Sequence, residues 1–296
     1  MQVYKFGGAS VKSAENIKNV VSIVEKYKDS SLLIVVSAIG KTTDKLVKIT
    51  ESYIKRDGAC FDLLESLKQE HFNILNELFP DHNHPVYNDI ANTFVEIEWI
   101  LEEDPQDEYD YLYDQIVSVG ELLATKIVAA YSSFQGLPTQ WVDARDYILT
   151  DNTYREGKVD WEKTEEKIRK DLPSILDEYI VVTQGFIGST SENFTTTLGR
   201  EGSDYSAAIF AASLNAENIT IWKDVPGVLN ADPKWFDKTE LIPELSYTDA
   251  IELTYYGATV IHPKTIKPLQ NKKITLNVRS FINPEEPGTQ IKTTNQ

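Results

Sequence analysis

The feature that most limits what this chain can fold into is an alternation, kept up over most of its length, between short β-rich apolar runs and stretches of helical periodicity. Strands separated by helices pair in parallel, because a parallel pair needs a crossover long enough to carry the chain back to the same edge. The expected class is α/β, a parallel sheet wrapped by helices. Strands are predicted over 3–6, 32–37, 139–142, 179–183, 219–222 and 274–278, bounded by Gly, Pro, Asn, Asp or Ser. Between the first two, Ile17, Val20, Val21 and Val24 follow the i, i+3, i+4, i+7 stripe of a helix, with Ser13 placed to cap it. Further helices are predicted over 44–56, 60–79, 88–103 and 112–135. That excursion is long for a simple crossover and suits a helical cap or an oligomer surface.

Charge narrows the partners. With 29 Lys and Arg against 46 Asp and Glu, the net charge is −17, which excludes a general nucleic-acid binder. A 41% hydrophobic content with 10% aromatic residues in 296 residues supports a sizeable core in one large or two closely packed domains. The single cysteine, Cys60, has no partner for an intramolecular disulfide or a Cys-rich zinc site, which fits a reducing compartment. Met1 leads straight into an alternating segment, and no run of about 18 apolar residues occurs. The expectation is a cytoplasmic protein with no membrane partner. The acidic run Glu102-Glu103-Asp104 with Asp107-Glu108 reads as a solvated face.

Chemistry gathers where predicted strands end. Lys5-Phe6-Gly7-Gly8-Ala9-Ser10 leads from a strand toward a helix. Paired glycines admit a phosphate close to the backbone, and a lysine can neutralise charge on a transferred phosphoryl group. The segment is neither a Walker A loop nor a GxGxxG fingerprint, and a plain Gly-Gly turn with a solvent lysine fits it equally. A second strand end runs through Ser37 to Asp44; ligands collect beyond the carboxyl ends of parallel strands, so the two loops point to one site. Thr43 or Asp44 is otherwise a simple helix cap.

Glu121, in Ser118-Val119-Gly120-Glu121, can hold an ammonium group if it faces a cleft, and is an exposed helix residue if it does not. In Leu198-Gly199-Arg200-Glu201-Gly202-Ser203-Asp204, glycines bracket an arginine whose planar fork suits a carboxylate. The plainer alternative makes Ser203 or Asp204 an N-cap and Arg200 a loop cation. The Ser/Thr-rich stretch 189–197 reads as a flexible hairpin or lid. The loop after 219–222 carries Asp224 and Asp232, suited to the ribose and phosphates of a nucleotide. His262-Pro263 reads as a helix entrance, and His82 with His84 lacks a third metal ligand.

In order along the chain, KFGGAS, VVSA with KTTDKL, SVGELLA, TQGFIG with TTTLGREGSDYSAA, IWKDVPGVLNADP and GATVIHP resemble the aspartate kinases (aspartokinases) of the amino acid kinase family. The resemblance covers nearly the whole chain. Its GREGSDYSA block separates it from acetylglutamate, glutamate and uridylate kinases. It implies a three-layer α/β/α sandwich around a mostly parallel central sheet, with an aspartate-binding and catalytic lobe over 1–200 and a nucleotide-binding lobe over 201–296. It implies Mg-ATP-dependent phosphorylation of the L-aspartate side-chain carboxylate to 4-phospho-L-aspartate, the first step toward lysine, threonine, methionine and diaminopimelate. By the same resemblance Lys5 and Asp204 are catalytic, Asp204 orienting Lys5 or Mg2+-bound water. Thr43, Glu121, Arg200 and Ser203 hold aspartate, with Arg200 on the α-carboxylate and Glu121 on the α-ammonium. Lys5, Phe6, Gly7, Gly8, Lys223, Asp224, Leu229, Lys234, Thr259 and Val260 meet ATP. No residue is assigned to the Mg2+ ion.

Four positions depart from the family pattern. Ala9 stands for a usual Thr or Ser, Lys234 for a common Arg, and Thr259 for a frequent Lys, while Lys223 occupies a position often held by Thr. The chain ends at Gln296, past the Pro-Gly-Thr segment after which aspartate kinases continue into paired ACT domains. Two expectations stand here: a natural catalytic-only form without ACT domains, insensitive to end-product amino acids, or a fragment of a longer chain; in either case a homodimer is possible. Two other expectations compete: a related amino acid kinase with another carboxylate acceptor, and a nucleotide- or aspartate-binding regulatory subunit with weak or no turnover.

Overall fold

β1 (Gln2–Phe6) shows how the sequence builds the fold, because its alternate side chains enter two different cores. The computed structural model describes residues 1–232, 235, 236, 238–255 and 261–293. After β1 come α1 (Ala14–Glu25), β2 (Leu32–Val36), then the helices α2 (Thr42–Lys55), α3 (Cys60–Leu78), α4 (Pro85–Glu102), α5 (Tyr109–Val117) and α6 (Val119–Phe134). β3 (Thr139–Trp141), α7 (Trp161–Leu176), β4 (Ile180–Gln184), β5 (Ile187–Ser189), β6 (Thr195–Thr197), α8 (Gly202–Ser213) and β7 (Asn218–Lys223) follow. The chain closes with β8 (Glu244–Ser246), α9 (Tyr247–Tyr255), α10 (Pro263–Lys272), β9 (Thr275–Ser280) and β10 (Thr289–Lys292).

Among the described residues one eight-stranded sheet runs β3-β4-β2-β1-β7-β9-β10-β8. It is parallel apart from the last two strands, since β10 runs antiparallel to β9 and carries β8 parallel to itself. Tyr4, Phe6, Ile34, Val36, Val182 and Trp222 face the layer of α1 to α6, whereas Val3, Leu33, Val35, Val181, Ile221 and Val278 face α7, α8 and α10. Both faces are covered, which is why these strands read as nearly continuous apolar runs. The three-layer α/β/α sandwich with a mostly parallel sheet is thus present. The 1–200 and 201–296 segments share the sheet, for β1 pairs with β2 on one side and β7 on the other.

All six predicted strands form, shifted by a residue or two at their ends. Ser13 caps α1 by accepting the Asn16 N–H. His262 and His84 do the same for Lys264 and Val86, each ahead of a proline at the first helical turn. The acidic residues 102–104, 107 and 108 are exposed. The helix expected over 112–135 instead starts at Tyr109 and divides at Ser118. Together α5 and α6 are long and apolar enough to cross a membrane by length and composition, yet 83% of their most apolar window is buried in the fold, as in a core helix. Of the hairpin or lid expected over 189–197, the hairpin forms: β5 and β6 pair antiparallel, Thr195, Thr196 and Thr197 are buried, and only the tip at 191–194 is exposed.

Candidate active site

β1 lies where the strand order reverses, with β2 and β4 to one side and β7 and β9 to the other, and the loops leaving its carboxyl edge open a crevice there. That cleft has a volume of about 1100 Å³ and is bounded by the loops after β1, β2 and β4 and by the end of β7. The first two loops lock together through Gly8. A Cβ there would stand 2.8 Å from the Ala38 carbonyl oxygen and 2.9 Å from that of Gly40, so a larger residue would force the loops apart. Gly40 in turn donates its N–H to the Gly8 carbonyl at 3.0 Å.

Register brings the charges together. Lys5 pairs in the sheet with Ile221, so Lys5 on β1 and Lys223 on β7 share one face, two residues apart along adjacent parallel strands. α8 covers that face and carries Asp204 in its first turn. Lys5 Nζ lies 2.7 Å from Asp204 Oδ1 and Lys223 Nζ 3.7 Å from Oδ2, with only 4% of the Asp204 side chain exposed. Burial alone would raise the Asp204 carboxyl; the two ammonium groups outweigh it and hold the group below the usual carboxylate range.

Two helix N-termini border the same cleft without side-chain caps. α2 follows Lys41, and α8 follows Glu201, which sits in the left-handed region at φ 55°. Neither Thr43, Asp44, Ser203 nor Asp204 is the cap that the plainer reading allowed. Free N–H groups at such termini suit an anion.

Across the cleft, Glu121 lies in the first turn of α6 with 2% of its surface exposed. Its Oε1 accepts the Ala38 N–H at 3.4 Å, and its Oε2 is buried with no hydrogen-bond partner among the described residues. Burial pushes the carboxyl up to about 8, against the lowering effect of that hydrogen bond. A buried carboxyl with a vacant oxygen facing a cleft suits a cationic ligand. Arg200, at the rim, is exposed, and among the described residues its guanidinium makes no ion pair. Thr43 and Ser203 also line the cleft.

The structure therefore brings Lys5, Gly7, Gly8, Thr43, Glu121, Arg200, Ser203, Asp204 and Lys223 into one cleft. The Phe6 ring does not line the cleft: it is fully buried and stacks on Trp222 at 6.0 Å in the core on the far face of the sheet. Asp224 and Leu229 are not among the lining residues either; Leu229 bridges to Leu241. Lys234, Thr259 and Val260 lie outside the described residues.

The sequence reading missed one wall, formed by Tyr113 of α5 and the 153–156 loop. Asp114 anchors that wall: its Oδ2 accepts the N–H groups of Arg155 and Thr197 at 2.8 and 2.9 Å, and its Oδ1 accepts the Thr197 hydroxyl at 2.7 Å. The Arg155 guanidinium lies over the Tyr113 ring at 4.6 Å and pairs with Asp110 at 3.3 Å. No local motif marks these contacts, which join three distant segments. Among the described residues no group of three or more His, Cys, Asp or Glu is placed to cage a metal ion.

A profile of the amino acid kinase family matches residues 1–280. The Arabidopsis thaliana protein "Bifunctional aspartokinase/homoserine dehydrogenase 2, chloroplastic" is 33% identical over 98% of this chain, which spans 32% of that protein. "Lysine-sensitive aspartokinase 3" of Escherichia coli is 33% identical over 98% of this chain, which covers 63% of it. The chain thus spans about a third of the bifunctional relatives. The crystal structure of E. coli aspartokinase III in complex with aspartate and ADP superposes with a TM-score of 0.91 at 32% identity, over 100% of this chain and 65% of that one. A UMP kinase from Bacillus anthracis, 13% identical with a TM-score of 0.55, shares the fold.

Proposed function

The chain belongs to the amino acid kinase family, and from that premise we propose that it transfers the γ-phosphoryl group of Mg-ATP to the side-chain carboxylate of L-aspartate. The observation that carries this reading is the cleft's polarity: a buried glutamate with a vacant oxygen stands in the same cleft as a lysine–aspartate–lysine cluster. One part suits the α-ammonium of an amino acid and the other a phosphate chain. The E. coli relative solved with aspartate and ADP supports the pairing of ligands.

In this reading Glu121 receives the α-ammonium, Arg200 swings in on the α-carboxylate, and Thr43 and Ser203 complete the aspartate site. Lys5 and the N–H groups at the start of α8 meet the phosphates, while Asp204 holds Lys5 in place. Residues 1–200 supply most of the aspartate side and 201–296 the nucleotide side. Mg2+ enters as part of the nucleotide substrate, held chiefly by phosphate oxygens and water. The acceptor carboxylate is already ionised at neutral pH, so the protein's task is to gather two anions and place them in line.

The test is coupled ADP release with Mg-ATP and L-aspartate, with L-glutamate, N-acetylglutamate and no acceptor alongside, and hydroxylamine trapping of the acyl phosphate. The expected product is aspartyl hydroxamate, formed with aspartate alone. Binding of both ligands without hydroxamate would overturn the kinase reading in favour of a binding role.

A further inference from the structure

We propose that Lys223 is a second catalytic cation, its ammonium contacting the transferred phosphoryl group alongside that of Lys5; the inference deepens the kinase reading above and rests on it. Three observations carry it. First, strand register puts both lysines on the α8 face at the carboxyl ends of neighbouring strands, so both ammonium groups converge on the cleft from the same side. Second, the charges do not cancel. Lys5 with the buried Asp204 alone would present a neutral pair, and Lys223 leaves the cluster one positive charge in excess. Third, the two contacts differ: Lys5 sits 2.7 Å from its carboxylate oxygen, whereas Lys223 stands off at 3.7 Å, with 24% of its side chain exposed. Asp204 is the sole ion-pair partner of Lys223 among the described residues, so N–H groups of its ammonium are free for a ligand.

The step it serves is balanced without a proton. The bond from the γ-phosphorus to the β–γ bridging oxygen breaks, a bond from the aspartate carboxylate oxygen to that phosphorus forms, and ADP leaves with the electron pair. Five negative charges, four on ATP and one on the acceptor, are crowded together before and after. A preorganised second cation in a site partly shielded from water favours the arrangement in which charge flows to the bridging oxygen. Asp204 then acts as a positioning residue, holding two ammonium groups apart at fixed places.

The experiment compares the wild-type chain with Lys223→Met, Lys223→Arg and Lys5→Met. It measures kcat, KM for aspartate, KM for ATP, and equilibrium binding of AMP, ADP and a non-hydrolysable ATP analogue. Lys223→Met is expected to lower kcat on the order of 10²–10³-fold with KM for aspartate within about threefold, and Lys223→Arg to recover part of the loss. The preference for the ATP analogue over AMP should fall on the order of tenfold. A kcat within about threefold of wild type in Lys223→Met overturns the proposal. So does an equal loss in AMP and aspartate binding, which would mean that Lys223 only holds Asp204 in place. Wild-type chain that makes no aspartyl phosphate refutes the kinase reading separately. The phosphate contact is then judged by binding alone, kept if Lys223→Met loses the ATP-over-AMP preference and rejected if it does not. Should the Met variant fail to fold, Lys223→Gln carries the same comparison.

Discussion

In the proposed reading, Glu121 is where protonation and substrate choice meet. Its carboxyl, pushed up to about 8 by burial, has an ordinary value of 4.5, so between those limits the folded protein holds a proton that the unfolded chain releases. The ligand-free fold therefore loses stability at this residue as pH rises from about 4.5 to 8. Glu121→Gln keeps the shape without the charge. Its melting temperature should match wild type near pH 5 and exceed it at pH 8 in paired thermal melts; a constant offset across that range would contradict the assignment. Binding an α-ammonium must also expel the proton. Calorimetry of aspartate binding at pH 7 in buffers of different ionisation enthalpy should show nearly one proton released by wild type and none by Glu121→Gln. The variant should bind aspartate on the order of 10–100-fold more weakly, the worth of a charge-assisted hydrogen bond.

Elements are joined at the cleft by polar side chains rather than by apolar contact alone, and Asp114 on α5 is the clearest case. It takes backbone N–H groups from β6 and from the 153–156 loop, both of which border the site. Burial raises its carboxyl to about 6 despite those hydrogen bonds. Asp114→Ala strips the acceptors from two backbone donors and should cost about 2–4 kcal/mol in urea melts. Asp114→Asn retains one oxygen for both N–H groups and can turn its amide toward the Thr197 hydroxyl, so it should stay within about 1 kcal/mol of wild type. If both variants lose the same stability, the charge matters and the hydrogen-bond account is wrong. The hairpin that Asp114 grips also explains why the Ser/Thr-rich stretch is not a loose lid. Its threonines are buried against α5 and the 150–157 segment, contacts that composition does not reveal.

At the scale of the molecule, the 1–200 and 201–296 segments share one continuous sheet. Urea unfolding followed by far-UV circular dichroism and by tryptophan fluorescence should give one coincident transition; separate midpoints would mean that 201–296 unfolds apart from 1–200. The strands and the class were legible from the sequence because hydrophobic period and strand-ending glycines are local and present in every conformation of the chain. So were Ser13 and His262 as helix starts, and Lys5, Glu121 and Arg200 as candidates, through motifs whose order along the chain carries a family resemblance. What tertiary structure alone decided is which of these candidates meet. Phe6 and Lys5 are neighbours in sequence, yet the pleat sends one into the core and the other into the cleft. Lys5, Asp204 and Lys223 converge because β1 and β7 pair in a particular register under α8, and Asp114 reaches β6 only after α5 has packed. Periodicity is a property of neighbours along the chain, whereas register, strand order and burial are set by segments far apart in it, and those decide where each charge stands.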